Sequence, residues 1–270
     1  MLQQSQDTEE RTYMTDIADA FSNGKAFIAF VTCGDPDLGT TADILRSMAA
    51  NGVDLIELGI PFSDPTAEGP VIQAANVRAL SSGTTTDKIF DMLEKVRKDV
   101  PVPMVFMTYA NVVFSYGTER FVSRCKELNM QGLILPDVPY EEKEDFLPIC
   151  KKYGLKLISM IAPTSESRIS MISKEAEGFV YVVSSLGVTG VRSNITTDVG
   201  ALTSIIKQNT KTPCAIGFGI STPEQAYSMS RHADGVIVGS AIVKIIAEYG
   251  RDSPKYVAEY TKKMKDSIMR

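Results

Sequence analysis

Eight short apolar runs spaced along the whole chain constrain its fold more than any other feature. Several, such as AFIAFVT at 26–32 and DGVIVGS at 234–240, are apolar at nearly every position rather than at alternate positions. Strands that are buried on both faces have this pattern, and such strands belong to parallel sheets. The eight runs are 26–32, 53–58, 102–108, 131–136, 155–161, 178–184, 212–218 and 234–240.

The segments between these runs have the pattern of amphipathic helices. In the segment 85–98, apolar residues recur at helical spacing and form one stripe, from Ile89 to Val96. Strands that alternate with helices eight times in 270 residues predict an α/β fold, a single-domain (β/α)8 TIM barrel. An open sheet of eight strands would show similar periodicity, so this alternative stays open.

The chain ahead of the first strand is predicted to have two parts. The polar and acidic residues 1–13 have no apolar core segment and are expected to form a flexible tail. Residues 14–24 are expected to form an extra N-terminal helix that closes the bottom of the barrel. The barrel domain is therefore predicted to cover residues 14–270.

Composition argues against several classes of protein. The net charge of −5 does not favour nucleic acid or an anionic membrane as a partner, although backbone amides can still bind a phosphate. No apolar run reaches the ~18 residues of a membrane helix. The four cysteines show neither a zinc pattern nor a disulfide framework, which predicts buried thiols, no metal site and a cytoplasmic location. They are Cys33, Cys125, Cys150 and Cys214.

Acidic residues stand at the end of the second strand, and the active site of such a barrel lies at the C-terminal ends of its strands. Glu57 interrupts an apolar run, LIELG. It is either a buried acid whose pKa is raised for proton transfer or one half of an ion pair across the barrel. The loop that follows holds Asp64 and Glu68. A lone loop acid is most often solvated, so these two are weaker candidates.

Glycines cluster at the ends of the last three strands, at 187–190, 217–219 and 239–240. Glycine lets backbone N–H groups approach an anion, and in phosphate-binding barrels the last loops hold the phosphate. The cluster therefore predicts a phosphorylated ligand. The single histidine, His232, precedes the eighth strand and is predicted to lie at the opposite end of the barrel. A mechanism based on histidine is thus disfavoured.

Taken together, these motifs resemble tryptophan synthase alpha chains. The resemblance extends in order from about residue 14 to the C-terminus, and ELGIPFSDP at 57–65 is its most specific part. The other matching segments are AFVTCGDP at 29–36, DVP at 137–139, GVTG at 187–190, GFGIS at 217–221 and GSAIVKII at 239–246. The resemblance implies a carbon–carbon lyase of tryptophan biosynthesis, which cleaves indole-3-glycerol phosphate into indole and glyceraldehyde 3-phosphate.

The resemblance also implies roles for individual residues. Glu57 matches the acid/base that moves the proton at the indole C3 carbon, Tyr181 lies near the scissile bond, and Thr189 belongs to a loop that closes over the substrate. Glu68 stands where the family usually has Asp, which accepts a hydrogen bond from the indole N–H, and we expect it to keep this role. The implied indole pocket consists of Phe30, Met107, Ile134 and Phe218. The implied phosphate site consists of Gly190, Gly219, Gly239 and Ser240.

The two carboxylates would need different protonation states, and their proximity is expected to move their pKa values apart. Glu57 must gain and lose a proton, so a raised pKa suits its role. Glu68 should stay ionised, because it faces the positive charge that develops on the indole nitrogen.

A partner follows from the resemblance as well. Alpha chains dock on a pyridoxal-phosphate-dependent beta chain, usually as an α2β2 heterotetramer, and have no cofactor of their own. Pro61, Phe62, Asp64 and Pro65 are candidates for this contact, although a packed turn would use the same residues. Two other functions stay open, namely a stand-alone lyase that releases indole and a non-catalytic subunit that binds ligand and regulates a beta chain. Indole assays with and without a beta chain separate them.

Overall fold

The computed structural model describes residues 16–183, 198–217 and 219–269, and its strands form one parallel sheet. The strands are β1 (Ala26–Thr32), β2 (Leu55–Gly59), β3 (Met104–Met107), β4 (Gly132–Ile134), β5 (Lys156–Leu157 and Ser159–Ile161), β6 (Val180–Val183), β7 (Cys214–Gly217) and β8 (Gly235–Val238).

The strand β5 closes the sheet into a barrel. Its first part, Lys156–Leu157, pairs with β4, and its second part, Ser159–Ile161, pairs with β6. At the other side of the sheet, β1 pairs with both β2 and β8. Each strand therefore has a neighbour on both sides, and no edge is left to be covered. This confirms the predicted (β/α)8 barrel over the open sheet.

The helices surround this barrel, and the predicted helix at 85–98 is observed as α3, with Thr85 as its N-cap. The helices are α1 (Leu38–Ala50), α2 (Pro70–Ser81), α3 (Thr86–Val96), α4 (Ala110–Tyr116), α5 (Thr118–Glu127), α6 (Leu147–Tyr153), α7 (Glu166–Lys174), α8 (Val199–Asn209), α9 (Pro223–Ser230), α10 (Ser240–Tyr249) and α11 (Ser253–Ile268). Within the described part of the chain, none is both long and apolar enough to span a bilayer.

The predicted N-terminal helix over 14–24 is too long. The described part of this segment forms a single 3-10 helix, Ile17–Phe21, which begins at an Asp16 cap. The helix is short because β1 already begins at Ala26, and a glycine turn at Gly24 (φ 106°) must fit between them. Ile17 is fully buried in the barrel interior, so the segment does close the bottom as predicted. Residues 1–15, and with them the predicted tail at 1–13, lie outside the described residues.

The cysteines and the histidine agree with their predicted settings. All four cysteines are free and buried, and burial raises the pKa of the Cys33 and Cys150 thiols to about 12. Such thiols stay protonated and unreactive at neutral pH. His232 is exposed between the end of α9 and the start of β8, at the end of the barrel opposite to the strand exits.

Helix α10 stays at the C-terminal end of the barrel instead of returning to the bottom. It begins at Ser240, directly after β8. Just beyond its other end, Arg251 Nε lies 2.8 Å from Asp37 Oδ2, and Asp37 is the N-cap of α1 at the exit of β1. Helix α11 makes the return, because Lys265 near its end pairs with Asp54, which precedes β2. The N-terminus of α10 is therefore held at the mouth of the barrel.

Candidate active site

Glu57 points into the barrel interior. Along β2, Ile56 and Leu58 pack into the outer core, whereas Leu55 packs into the barrel interior. Because successive side chains of a strand point to opposite faces, Glu57 points to the same side as Leu55. The side chain is 0 % exposed, and neither carboxylate oxygen has a hydrogen-bond partner among the described residues. The alternative of an ion pair across the barrel is therefore not observed in that part of the chain. Burial raises the pKa of Glu57 to about 8, so the group holds its proton at neutral pH.

Tyr181 shares the interior with Glu57. Burial raises the pKa of its hydroxyl well above the ordinary value, and the charge of Glu57 raises it further, which indicates that the two groups are close. Its ring lies directly over Gly217, where an added Cβ would come within 2.6 Å of the Tyr181 hydroxyl oxygen. The glycine at the end of β7 therefore makes room for this ring.

Three of the four predicted indole-pocket residues lie together in the interior. Phe30 is paired in register with Glu57 across β1 and β2, and an added Cβ at Gly59 would come within 2.6 Å of its ring. Met107 packs both against the cluster that contains Phe30 and against the interior cluster that contains Ile134. These side chains form an apolar surface beside the buried acid. The fourth predicted residue, Phe218, lies outside the described residues.

Glu68 lies half-buried in the loop between β2 and α2. The Asn76 side-chain amide donates a hydrogen bond of 2.6 Å to its Oε2. Burial raises the pKa of Glu68 to about 6, and this hydrogen bond opposes the rise. At neutral pH Glu68 is thus largely ionised while Glu57 is protonated. Burial is the main cause of both shifts, rather than the mutual repulsion expected from the sequence.

Two polar residues beside Glu68 were missed by the sequence analysis. The sequence contains a sign of the role of Asn76, because this polar residue stands in the apolar stripe of α2 between Ala75 and Ala79. It contains no such sign for Tyr109. Its hydroxyl accepts a hydrogen bond of 3.1 Å from the Ala67 N–H, next to Glu68, and so supports the loop.

The predicted phosphate site lies near the N-termini of two helices, α9 and α10, which differ in whether side chains cap their amides. At α9 the amides are occupied, because Gln225 Oε1 accepts from the N–H groups of Ser221 (2.8 Å) and Thr222 (3.2 Å). At α10 the N-cap is Gly239, and no side-chain cap is found there among the described residues. The first amides of α10, from Ser240 onward, thus have no capping side chain in the described part of the chain, and such amides can bind an anion. Thr189 and Gly190 lie outside the described residues.

Gly219 and Gly239 lie at the mouth beside the apolar pocket. Gly219 has a φ of 79°, which favours glycine, and an added Cβ would meet none of the described atoms within 4 Å. A Cβ at Gly239 would lie 3.4 Å from the Phe30 Cβ, and Phe30 is the register partner of Glu57. Gly239 and Glu57 are thus two strand spacings apart, about 10 Å. A ligand with a ring at one end and a phosphate at the other can reach both.

The whole barrel matches a known family. Residues 18–269 match the family model "Tryptophan synthase alpha chain". The chain belongs to the tryptophan synthase alpha chain family. A relative with that description from Lacticaseibacillus casei is 49% identical over 255 residues, which cover 94% of this chain and 96% of the relative.

Solved structures of tryptophan synthases have the same fold. The alpha chain of Legionella pneumophila superposes with a TM-score of 0.84 at 33% identity and covers 95% of this chain and 98% of its own. A chain of the tryptophan synthase complex from Pyrococcus furiosus superposes with a TM-score of 0.81 at 32% identity, covering 90% of this chain and 98% of its own.

Membership in this family gives the function of the chain. It is a lyase of tryptophan biosynthesis, and the cleavage of indole-3-glycerol phosphate is the reaction that the resemblance implied. The family uses no cofactor in the alpha chain, since pyridoxal phosphate belongs to the beta chain. In the part of the chain that the structure describes, no three His, Cys, Asp or Glu side chains are grouped to hold a metal ion.

Proposed function

We propose that Glu57 moves the proton in the cleavage of indole-3-glycerol phosphate and that Glu68 stabilises the charged indole nitrogen. The observation that supports this division of work is the environment of the two carboxyl groups. Glu57 is fully buried without a hydrogen-bond partner among the described residues, and its pKa is raised to about 8. Glu68 is only half-buried and hydrogen-bonded, and its pKa is raised to about 6.

The reaction then needs one proton to move twice. Protonated Glu57 donates its proton to C3 of the indole ring, which places a positive charge on the ring nitrogen. Ionised Glu68 accepts the hydrogen bond of that N–H and stabilises the cation. The Glu57 carboxylate then takes the proton of the substrate hydroxyl on the carbon next to indole C3, as the bond between that carbon and C3 breaks. Indole and an aldehyde leave, the electrons of the broken bond restore the ring, and Glu57 is again protonated.

The surrounding residues orient the substrate. In this proposal the indole ring lies against Phe30, Met107 and Ile134, and Tyr181 lies near the bond that breaks. The phosphate binds the amides of Gly239 and Ser240 at the start of α10 and the amide of Gly219 after β7. The remaining roles follow the resemblance alone, and they concern Phe218 in the pocket, Gly190 at the phosphate and Thr189 in the closing loop.

Replacing Glu68 tests its role directly. We expect Glu68→Ala to lower kcat for indole release about a hundredfold, since removal of one such electrostatic contact costs a factor of about 10² to 10³. Glu68→Asp should keep more activity, because the charge remains and only the reach changes. The measurement is steady-state indole release from indole-3-glycerol phosphate by the purified chain. Unchanged indole release by Glu68→Ala would contradict the proposed role. A wild-type chain without turnover that still activates a beta chain would favour the regulatory function instead.

For the partner, we propose a tryptophan synthase beta chain in an α2β2 complex that contacts the loop after β2. In this loop Asp64 is exposed and Phe62 and Pro65 are half-buried, whereas Pro61 is buried and acts as a packed turn. The Phe62 and Tyr109 rings pack with 5.3 Å between their centroids. Tyr109 thus contacts both the proposed interface at Phe62 and, through its hydroxyl, the loop next to Glu68. Binding of a beta chain could thus act on the active site through this loop.

We expect Asp64→Lys to weaken the complex with a beta chain at least about tenfold in Kd, because a charge is reversed within the interface. Analytical ultracentrifugation of the two purified chains measures the change. The matched control is Asp91→Lys, which reverses an exposed charge on α3. Equal assembly of both variants would remove this loop from the proposed interface.

A further inference from the structure

The buried face of α2 carries an amide among apolar side chains. Asn76 is 4 % exposed, and its neighbours in the stripe, Ile72, Ala75 and Ala79, are buried with it. Burial of an amide is costly unless the group is hydrogen-bonded. The observed hydrogen bond of Asn76 runs from Nδ2 to Glu68 Oε2 over 2.6 Å, which is short for an N–H···O bond.

We propose that Asn76 is a positioning residue that holds the Glu68 carboxylate where the indole N–H will be. This inference rests on the proposed role of Glu68. A glutamate side chain has three rotatable bonds, one more than aspartate, and its conformational entropy opposes a single placement. A site that must place a charge to within about half an ångström needs a fixed second contact for it. Asn76 supplies that contact from a helix rather than from the loop.

Helix α2 is itself anchored to the barrel. Arg78, two residues after Asn76, forms a bidentate ion pair with Asp35 at the exit of β1, with distances of 2.7 Å and 2.8 Å. Asp35 is 1 % exposed, so the pair is shielded from solvent on that side. Near the end of α2, the Ser82 hydroxyl donates to the Gly34 carbonyl over 3.2 Å. Asn76 therefore lies on a helix that is anchored at the exit of β1. The strand β1 pairs with β2, which carries Glu57.

The chemistry of an amide suits this task better than that of a cation. A neutral N–H donor stabilises the ionised carboxylate without cancelling its charge. A lysine or arginine at the same place would form an ion pair and leave less of that charge for the indole nitrogen. Accordingly the Asn76 hydrogen bond lowers the pKa of Glu68 against the effect of burial.

The test is a double-mutant cycle with Asn76→Leu and Glu68→Ala. In the otherwise unchanged chain, Asn76→Leu should lower kcat for indole release at least about tenfold, because a hydrogen bond to a charged group is lost. The KM should change less than about twofold. In the Glu68→Ala background the same substitution should change kcat less than about twofold, since its target is absent. A similar loss in both backgrounds would overturn the proposal, because Asn76 would then act elsewhere.

An NMR titration tests the contact without turnover. The carboxyl carbon of Glu68, assigned by its disappearance in Glu68→Gln, should titrate at higher pH in Asn76→Leu than in the wild-type chain. An unchanged titration would overturn the proposal even if activity fell. If the wild-type chain released no indole, the proposed function would fail, while this titration would still decide whether Asn76 holds the carboxylate.

The matched control is Asn51→Leu. Asn51 Nδ2 donates a hydrogen bond of 2.8 Å to the Ser47 carbonyl, so the substitution also removes an amide hydrogen bond. Asn51 caps the C-terminal end of α1 just before β2 begins, whereas Glu68 follows the other end of β2. It should leave kcat and the Glu68 titration unchanged. If Asn76→Leu does not fold, Asn76→Ser replaces it, because the shorter hydroxyl no longer reaches the carboxylate and should give the same loss of kcat.

Discussion

Glu57→Gln should lower kcat for indole release about a thousandfold, within the usual range of about 10² to 10⁴ for loss of a general acid–base group. Glutamine has nearly the same shape as a protonated glutamic acid but has no proton to transfer at neutral pH. The substitution therefore removes the proton transfer while the pocket stays filled. Steady-state indole assays on the purified variant measure the loss. Retention of more than about a tenth of the activity would show that another group moves the proton.

The pH dependence of the wild-type chain adds a second readout for the same group. The kcat/KM should rise as Glu68 ionises, near its pKa of about 6, and fall as Glu57 loses its proton, near about 8. The residual activity of Glu57→Gln should lack the fall near pH 8. Glu144→Gln is the control for the substitution itself, because Glu144 is exposed in the 3-10 helix Tyr140–Asp145 before α6. This variant should show the wild-type profile.

The second large effect concerns stability, and its direction follows from proton binding. Folded Glu57 keeps its proton up to about pH 8, whereas the unfolded chain releases it near the ordinary pKa of 4.5. Between these values the unfolded state binds fewer protons, so the contribution of Glu57 to the free energy of unfolding falls as the pH rises. We expect Glu57→Gln to be more stable than the wild-type chain by less than about 1 kcal/mol at pH 5 and by about 3 kcal/mol at pH 7. The difference should level off above pH 8.

Urea denaturation of both chains from pH 5 to pH 9 measures this difference. Other titrating groups are common to both proteins and cancel in the comparison. Glu144→Gln makes the same chemical change at an exposed position and serves as the control for the substitution itself. A difference between Glu57→Gln and wild type that does not change with pH would mean that the folded pKa of Glu57 is close to ordinary.

These two predictions describe one trade-off. An ionisable group buried without a hydrogen-bond partner destabilises a fold, and replacing it usually stabilises the protein at the expense of activity. Glu57 has that setting among the described residues, in a strand whose other side chains are apolar. If Glu57→Gln both gains stability and loses indole release, the group that destabilises the fold is the same group that carries the catalysis.

The strands illustrate how far periodicity predicts the fold. Each of the eight apolar runs overlaps an observed strand. The strand β1 has the full length of its run, and the other seven strands are shorter than theirs. The run at 131–136 yields only Gly132–Ile134, since it ends in Pro136, which has no N–H to continue the ladder. The run at 155–161 is divided at Ile158, where pairing changes from β4 to β6. That division depends on the stagger of the closed barrel, which a local pattern does not contain.

Helix α10 shows the same limit at the active site. Its sequence predicts a helix after the eighth strand, but not that it would stay at the mouth of the barrel. The Arg251–Asp37 ion pair joins residues 214 positions apart and is a property of the folded chain only. The N-terminus of α9, by contrast, is capped by its own residues. Thr222 and Gln225, three residues apart, form a capping box, which is a local feature of the sequence.

The sequence by itself determined the number of strands, their burial on both faces and the inward direction of Glu57, because these depend on spacing along one segment. It also placed the glycines at the strand exits. Only the tertiary structure decided that the barrel closes, that Asn76 meets Glu68 and that the described residues supply no partner to Glu57. The reason is physical. Desolvation and hydrogen bonding of a side chain depend on atoms that other segments bring to it, and these contacts exist only once the chain has folded.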